Sequence, residues 1–133
     1  MNDALEIANV KARYCAASDL TPVDPAAALS GFRQVFTEDV VGDYGFRVFE
    51  GFEELTGFMT TVVAGSSDWM LHMVHTPLIA IDGDHATGDW TVMSQMKRSG
   101  SGQIDTVIGR YADEFRRTEN GWKICRLRFE RLA

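Results

Sequence analysis

Along the first half of the chain, apolar positions recur at helical spacing; beyond residue 68 the period changes to alternation, so helices come first and strands afterwards. Leu5, Ala8, Ala12 and Cys15 mark the apolar side of a first helix ending near Ser18, with Asp3 and Glu6 spaced as a capping box. Pro22 and Pro25 interrupt that pattern. Asp24 then supplies an N-cap with proline at the first helical position, opening a second helix whose apolar side is Leu29, Phe32 and Phe36. Val40 to Tyr44 reads as a short strand. Leu55, Phe58, Met59, Val62 and Val63 form a third amphipathic helix, stopped at Gly65-Ser66-Ser67. Strands follow near 69–82, 86–97, 104–117 and 122–132. Asp82-Gly83-Asp84 and Glu119-Asn120-Gly121 are hairpin signals, the Asn-Gly pair that of a type I′ turn, which makes adjacent strands antiparallel. Pro77 cannot donate to a ladder and predicts a bulge, and Gly88 and Gly109 predict further bends. Helices followed by a meander give an α+β layer arrangement, with three N-terminal helices packed on a strongly curved antiparallel sheet.

Length and composition narrow this picture. At 133 residues the chain forms one domain, 1–133, large enough to bury a core. With 45% hydrophobic and 24% charged residues it reads as an ordinary globular protein, and no apolar run reaches the length of a bilayer-spanning helix. The first residues lack the basic start and apolar centre of a secretory signal, which predicts a cytoplasmic location. Cys15 and Cys125 lie in apolar-patterned elements and read as small buried hydrophobes rather than a disulfide framework. The formal charge of −6 opposes a phosphate backbone, so nucleic acid is not an expected partner. Lys123, Arg126, Arg128 and Arg131 read as a solvated strand face or cross-strand partners of acids.

The chemistry concentrates elsewhere. His72 places a titratable imidazole inside the apolar strand pattern Trp69 to Val74, while Tyr14 and Asp19 belong to the first helical stretch. An acid, a phenol and an imidazole are thus expected to line one interior. His75 falls on the opposite strand face and His85 in a turn, and three histidines without a ligand spacing predict no metal site. Met70, Met73, Met93 and Met96 read as core or pocket lining, and Trp90, Tyr111 and Phe115 share that ambiguity.

Six segments, taken in order, carry a resemblance: Arg13-Tyr14 with Asp19; Val35 to Val40; His72; Ile81 to Ala86; Gly109 to Asp113; and Asn120 to Ile124. In that order the chain resembles the SnoaL-like family of the nuclear transport factor 2-like superfamily. The resemblance implies a cone in which three helices close a curved sheet around a pocket, often facing the interface of a homo-oligomer, here a dimer or trimer. Asp19 and His72 match the Asp–His pair of scytalone-dehydratase-like and dehydrochlorinase-like members, Tyr14 matches the tyrosine of bile-acid 7α-dehydratase-like ones, and Tyr44 resembles a substrate-facing tyrosine of the scytalone dehydratases. Met96 stands where those dehydratases carry a second histidine. Leu127, flanked by Arg126 and Arg128, stands where the family often has an arginine, and a bulge would be needed to bring an arginine inward.

These residue types suit proton abstraction. An aspartate bonded to one imidazole nitrogen fixes the tautomer and leaves the other free to take a proton from carbon. A tyrosine hydroxyl can hold the oxygen on which charge then develops. The sequence therefore predicts a cofactor-independent lyase, a dehydratase or other β-eliminating enzyme acting on a largely apolar small molecule. Asp19, His72 and Tyr14 are its catalytic residues, and Tyr44, Met96, Trp90 and Tyr111 contact the substrate. An isomerase or polyketide-cyclase-type enzyme begins with the same step, and a non-catalytic binding or assembly protein would use the same pocket and sheet face.

Overall fold

The computed structural model describes residues 2–133. Helix α1 runs Asp3–Leu20, α2 Pro25–Val35, and α3 Phe52–Phe58, the last continuing through a wider π turn at Met59–Val63. The strands are β1 Phe36–Asp43, β2 Val48–Glu50, β3 Ser67–Asp82, β4 His85–Arg98, β5 Ile104–Thr118 and β6 Gly121–Arg131. They form one six-stranded sheet in the order β2-β1-β6-β5-β4-β3, open at both edges. No helix among the described residues is long and apolar enough to cross a membrane.

The meander from β3 to β6 is antiparallel throughout, but β1 pairs with β6 in parallel, so the sheet is mixed rather than purely antiparallel. Parallel neighbours need a long crossover, and everything from β2 to β5 intervenes here. The three-residue β2, which pairs with β1, is too short to leave a periodic signal.

The buried side of α1 differs from the expected one. Leu5 is 58% exposed, and the stripe facing the sheet is Ile7, Val10, Lys11, Tyr14 and Ser18. Lys11 belongs to that stripe because it meets Asp113 of β5, a partner that helix periodicity cannot reveal. The capping box does not form either: Asn2 is the N-cap and accepts from the Leu5 amide. Glu6 instead accepts from the Trp122 amide, and Asp3 from Arg117 and the Trp122 indole, so both acids fasten α1 to the β5–β6 hairpin. Helix α2 begins as expected, with Asp24 accepting from the Ala27 amide and Pro25 in the first turn; its buried residues are Ala28, Phe32 and Val35.

Two of the sheet's register shifts, on β3 and β6, bear on the site. Thr76 and Pro77 together oppose Trp90, with Thr76 at a φ of +48°, which places the expected Pro77 irregularity. The second, at Cys125, lies between the pairs Glu114↔Arg126 and Phe115↔Ile124. It makes Ile124 and Leu127, three residues apart, both point into the core. Gly88 and Gly109 interrupt no register. At Gly88 a β-carbon would sit 2.5 Å from the Trp90 ring, so the glycine makes room for that ring rather than a bend. In the β5–β6 turn only Gly121 takes a positive φ, +94°, where a type I′ turn would need two such residues.

Candidate active site

A cavity of about 450 Å³ opens between the helices and the inner face of the sheet. Its wall is largely apolar: Phe58, Met59 and Val62 from the α3 segment, Met70 and Met96 paired across β3 and β4, and Phe129 from β6. A few polar groups interrupt this surface.

Asp19, in the last turn of α1, meets His72 of β3. A single carboxylate oxygen, Oδ1, accepts from the His72 backbone N–H at 2.9 Å and lies 2.8 Å from Nδ1. Because a carboxylate oxygen is an acceptor, Nδ1 carries a proton, and in the neutral ring Nε2 then keeps its lone pair. Holding backbone and ring through one atom also fixes the ring's orientation. His72 lines the cavity, while Asp19 stands behind it. Their side chains are 15% and 21% exposed, so the pair is neither sealed in the core nor lost to solvent.

Three phenols converge on the same cavity. The Tyr14 hydroxyl lies 3.1 Å from that of Tyr44 and 3.3 Å from that of Tyr111. Three O–H donors share two contacts, so one proton remains for a ligand oxygen. Burial pushes all three hydroxyls well above the usual tyrosine range, which keeps them protonated donors.

Lys11 and Asp113 lie beneath this cluster, 2.7 Å apart and wholly inaccessible. The ammonium sits 3.4 Å from the Tyr111 ring centroid and 4.3 Å from that of Tyr14. Burial lowers the proton affinity of Lys11 and raises that of Asp113, and each opposes the effect on the other.

Of the residues expected at the site, Tyr14, Tyr44, His72, Met96 and Tyr111 line this cavity, and Asp19 supports it through His72. Trp90 does not. It shares the inward face of β4 but lies lower, 4% exposed, packed edge-on to Phe115 and 5.6 Å from the Lys11 ammonium, where core fills the cone. Met73 and Met93 pair on the outer face rather than in the pocket. His75 and His85 are both exposed, and among the described residues no three His, Cys, Asp or Glu converge as metal donors. The Cys125 bulge brings Leu127 inward and leaves Arg126 and Arg128 exposed, with Arg126 near Glu114. Cys15 is buried and Cys125 half-buried, both as free thiols.

Sequence reasoning missed Ser18, Ser94, Arg98 and Arg131, all on the cavity wall. Alternation along β4 could have found two of them, since Ser94 and Arg98 share the parity of Met96. Ser18 is 1% exposed, and its hydroxyl has no hydrogen-bond partner among the described residues.

The fold has clear counterparts. A protein described as a candidate aromatic ring hydroxylase from Novosphingobium aromaticivorans superposes with a TM-score of 0.85 at 32% identity, covering 98% of this chain and 90% of that one. A nuclear transport factor 2-like superfamily protein from Salmonella enterica gives 0.86 at 19%, covering 97% and 90%. A candidate scytalone dehydratase from Novosphingobium aromaticivorans gives 0.84 at 14%, covering 98% and 84%. No curated protein matches the sequence. The SnoaL-like domain family matches residues 1–128, and with three helices on an open six-stranded sheet around an interior cavity, this chain belongs to that family.

Proposed function

We propose that the protein is a cofactor-independent lyase that eliminates water or another leaving group from a largely apolar small molecule. The observation that carries this reading is the Asp19–His72 pair on the wall of an apolar cavity. Nε2 of His72 takes a proton from a carbon next to a carbonyl. The carbonyl oxygen, now gaining negative charge, is held by the free proton of the tyrosine cluster. The leaving group departs from the neighbouring carbon with its bonding pair, a hydroxide taking up the proton held on His72 to leave as water, and a carbon–carbon double bond remains. The low polarity of the wall strengthens each of these interactions. The dehydratase description of a structural neighbour is in keeping with this chemistry.

Solvent-deuterium exchange into a panel of small ketones and β-hydroxy ketones tests the base directly, because abstraction precedes elimination, isomerisation and cyclisation alike. Exchange is expected with the native chain and is expected to fall about 10²- to 10⁴-fold in His72→Ala. Equal exchange in both proteins would overturn the assignment. Product analysis then separates an alkene plus water from a rearranged isomer.

We also propose that the chain self-associates through the outer face of β3, β4 and β5, as a dimer or trimer. Leu71, Met93, Ile104 and Ile108 are each more than a third exposed, and Met93 pairs with both Met73 and Ile108, making an apolar row across three strands. A monomer in sedimentation equilibrium at micromolar concentration would count against it.

A further inference from the structure

The rim of the cavity carries two arginines whose donors are mostly unused. Inward positions on β4 run Ser94, Met96, Arg98; on β6, after the bulge at Cys125 resets the phase, they run Leu127, Phe129, Arg131. Both strands therefore end with a guanidinium on the wall of an otherwise apolar chamber. Arg98 donates through Nε to Asp105 at 2.7 Å, and Arg131 through Nε to the Ala133 carbonyl at 3.2 Å. Among the described residues neither arginine uses its terminal nitrogens in a hydrogen bond, and Arg131 has no side-chain carboxylate partner. Asp105 offsets part of their charge: one of its oxygens accepts from Arg98, the other from Gln103, and both arginines hold its carboxyl below the usual range, which leaves the three groups with one net positive charge.

We propose that Arg98 and Arg131 form an anion-recognition subsite at the mouth, so that the ligand is an amphipathic acid: an apolar, ring-bearing body with a single carboxylate or similar oxyanion at one end. This rests on the reading of the cavity as a small-molecule site. Guanidinium forks match a planar oxyanion in geometry, and at the edge of a low-dielectric chamber their field is less screened than on open surface. The chain's charge of −6 repels anions in general, so the net positive charge that Arg98, Arg131 and Asp105 leave on this wall selects where an anion can settle. The acid group would stay at the mouth and the body would extend inward toward His72 and the tyrosine hydroxyls.

Two dyes with the same body test this. Anilinonaphthalene sulfonate carries the anion and phenylnaphthylamine lacks it, and the fluorescence of both rises in an apolar site. At low salt the sulfonate is expected to bind about tenfold more tightly or better, as a charge-assisted contact would give. In Arg98→Gln/Arg131→Gln the two dyes are expected to bind alike. Arg131→Gln, which breaks no side-chain ion pair, should remove a large part of the preference if the double variant does not fold. Equal binding of the two dyes to the native chain, or a preference that survives the substitutions, overturns the subsite while leaving the cavity standing. Failure of both dyes to bind overturns the cavity reading and the subsite with it.

Discussion

Of the acid–base pairs that join helix α1 to the sheet, two make the sharpest contrast at nearly equal length. Lys11 meets Asp113 at 2.7 Å, and two turns later Asp19 meets His72 at 2.8 Å. The polarity is reversed: the helix supplies the cation in the first and the acid in the second. What separates them is access. The first pair is sealed under aromatic rings, whereas the second stands at a cavity wall with part of each side chain reachable. A sealed pair can only hold the helix in register, because desolvation offsets much of its attraction and no ligand can reach it. The accessible pair keeps a free nitrogen that can act on another molecule.

That contrast can be broken most forcefully at the sealed pair. Asp113→Ala leaves a buried ammonium without its carboxylate and is expected to cost about 3–5 kcal/mol in denaturant unfolding, while Lys11→Met combined with Asp113→Leu recovers most of the loss. A double variant no better than the single one would show that the charges themselves are needed. At the accessible pair the expectation inverts. Asp19→Asn should stay within about 1 kcal/mol of the native stability, yet slow deuterium exchange into ketones by about tenfold or more, since the ring loses its anionic orienter. A larger loss of stability than of exchange would place this pair with the sealed one.

The smallest effect sharpens the boundary between the two. Tyr44→Phe removes one hydroxyl contact of the cluster and is expected to cost about 1 kcal/mol. The cluster also sets an alkaline limit. The three folded tyrosines keep their protons above the value at which the unfolded chain ionises, so the unfolded state binds fewer protons there and stability falls as pH rises beyond about 10. Cys15, pushed up to about 11 by burial, acts in the same direction. Tyr44→Phe should therefore show a shallower decline in unfolding free energy between about pH 10 and 11. An unchanged slope would mean that the hydroxyl titrates as freely in the fold as outside it.

Much of the architecture was legible because it is written in local periodicity. The change from helical to alternating spacing, the Asp24-Pro25 start of α2 and the irregularity at Pro77 all depend on residues within a few positions of one another. The placement of His72 on an inward strand face was legible for the same reason, and Tyr14 and Asp19 were expected beside it from the first helical stretch, while the family resemblance gave them roles and added Tyr44. Trp90 misled because parity fixes which face a side chain takes but not how deep in the cone it lies.

The sequence by itself determined the order of helices and strands and most of the inward-facing residues, because side-chain periodicity follows from backbone geometry alone. Only the tertiary structure decided that β1 lies parallel to β6, that Lys11 rather than Leu5 faces the sheet, and that a bulge at Cys125 turns Arg131 toward the cavity. Each of these depends on partners roughly ninety to one hundred residues apart or on one extra residue in a ladder, and no local pattern encodes which distant group will satisfy a buried charge or hydrogen bond.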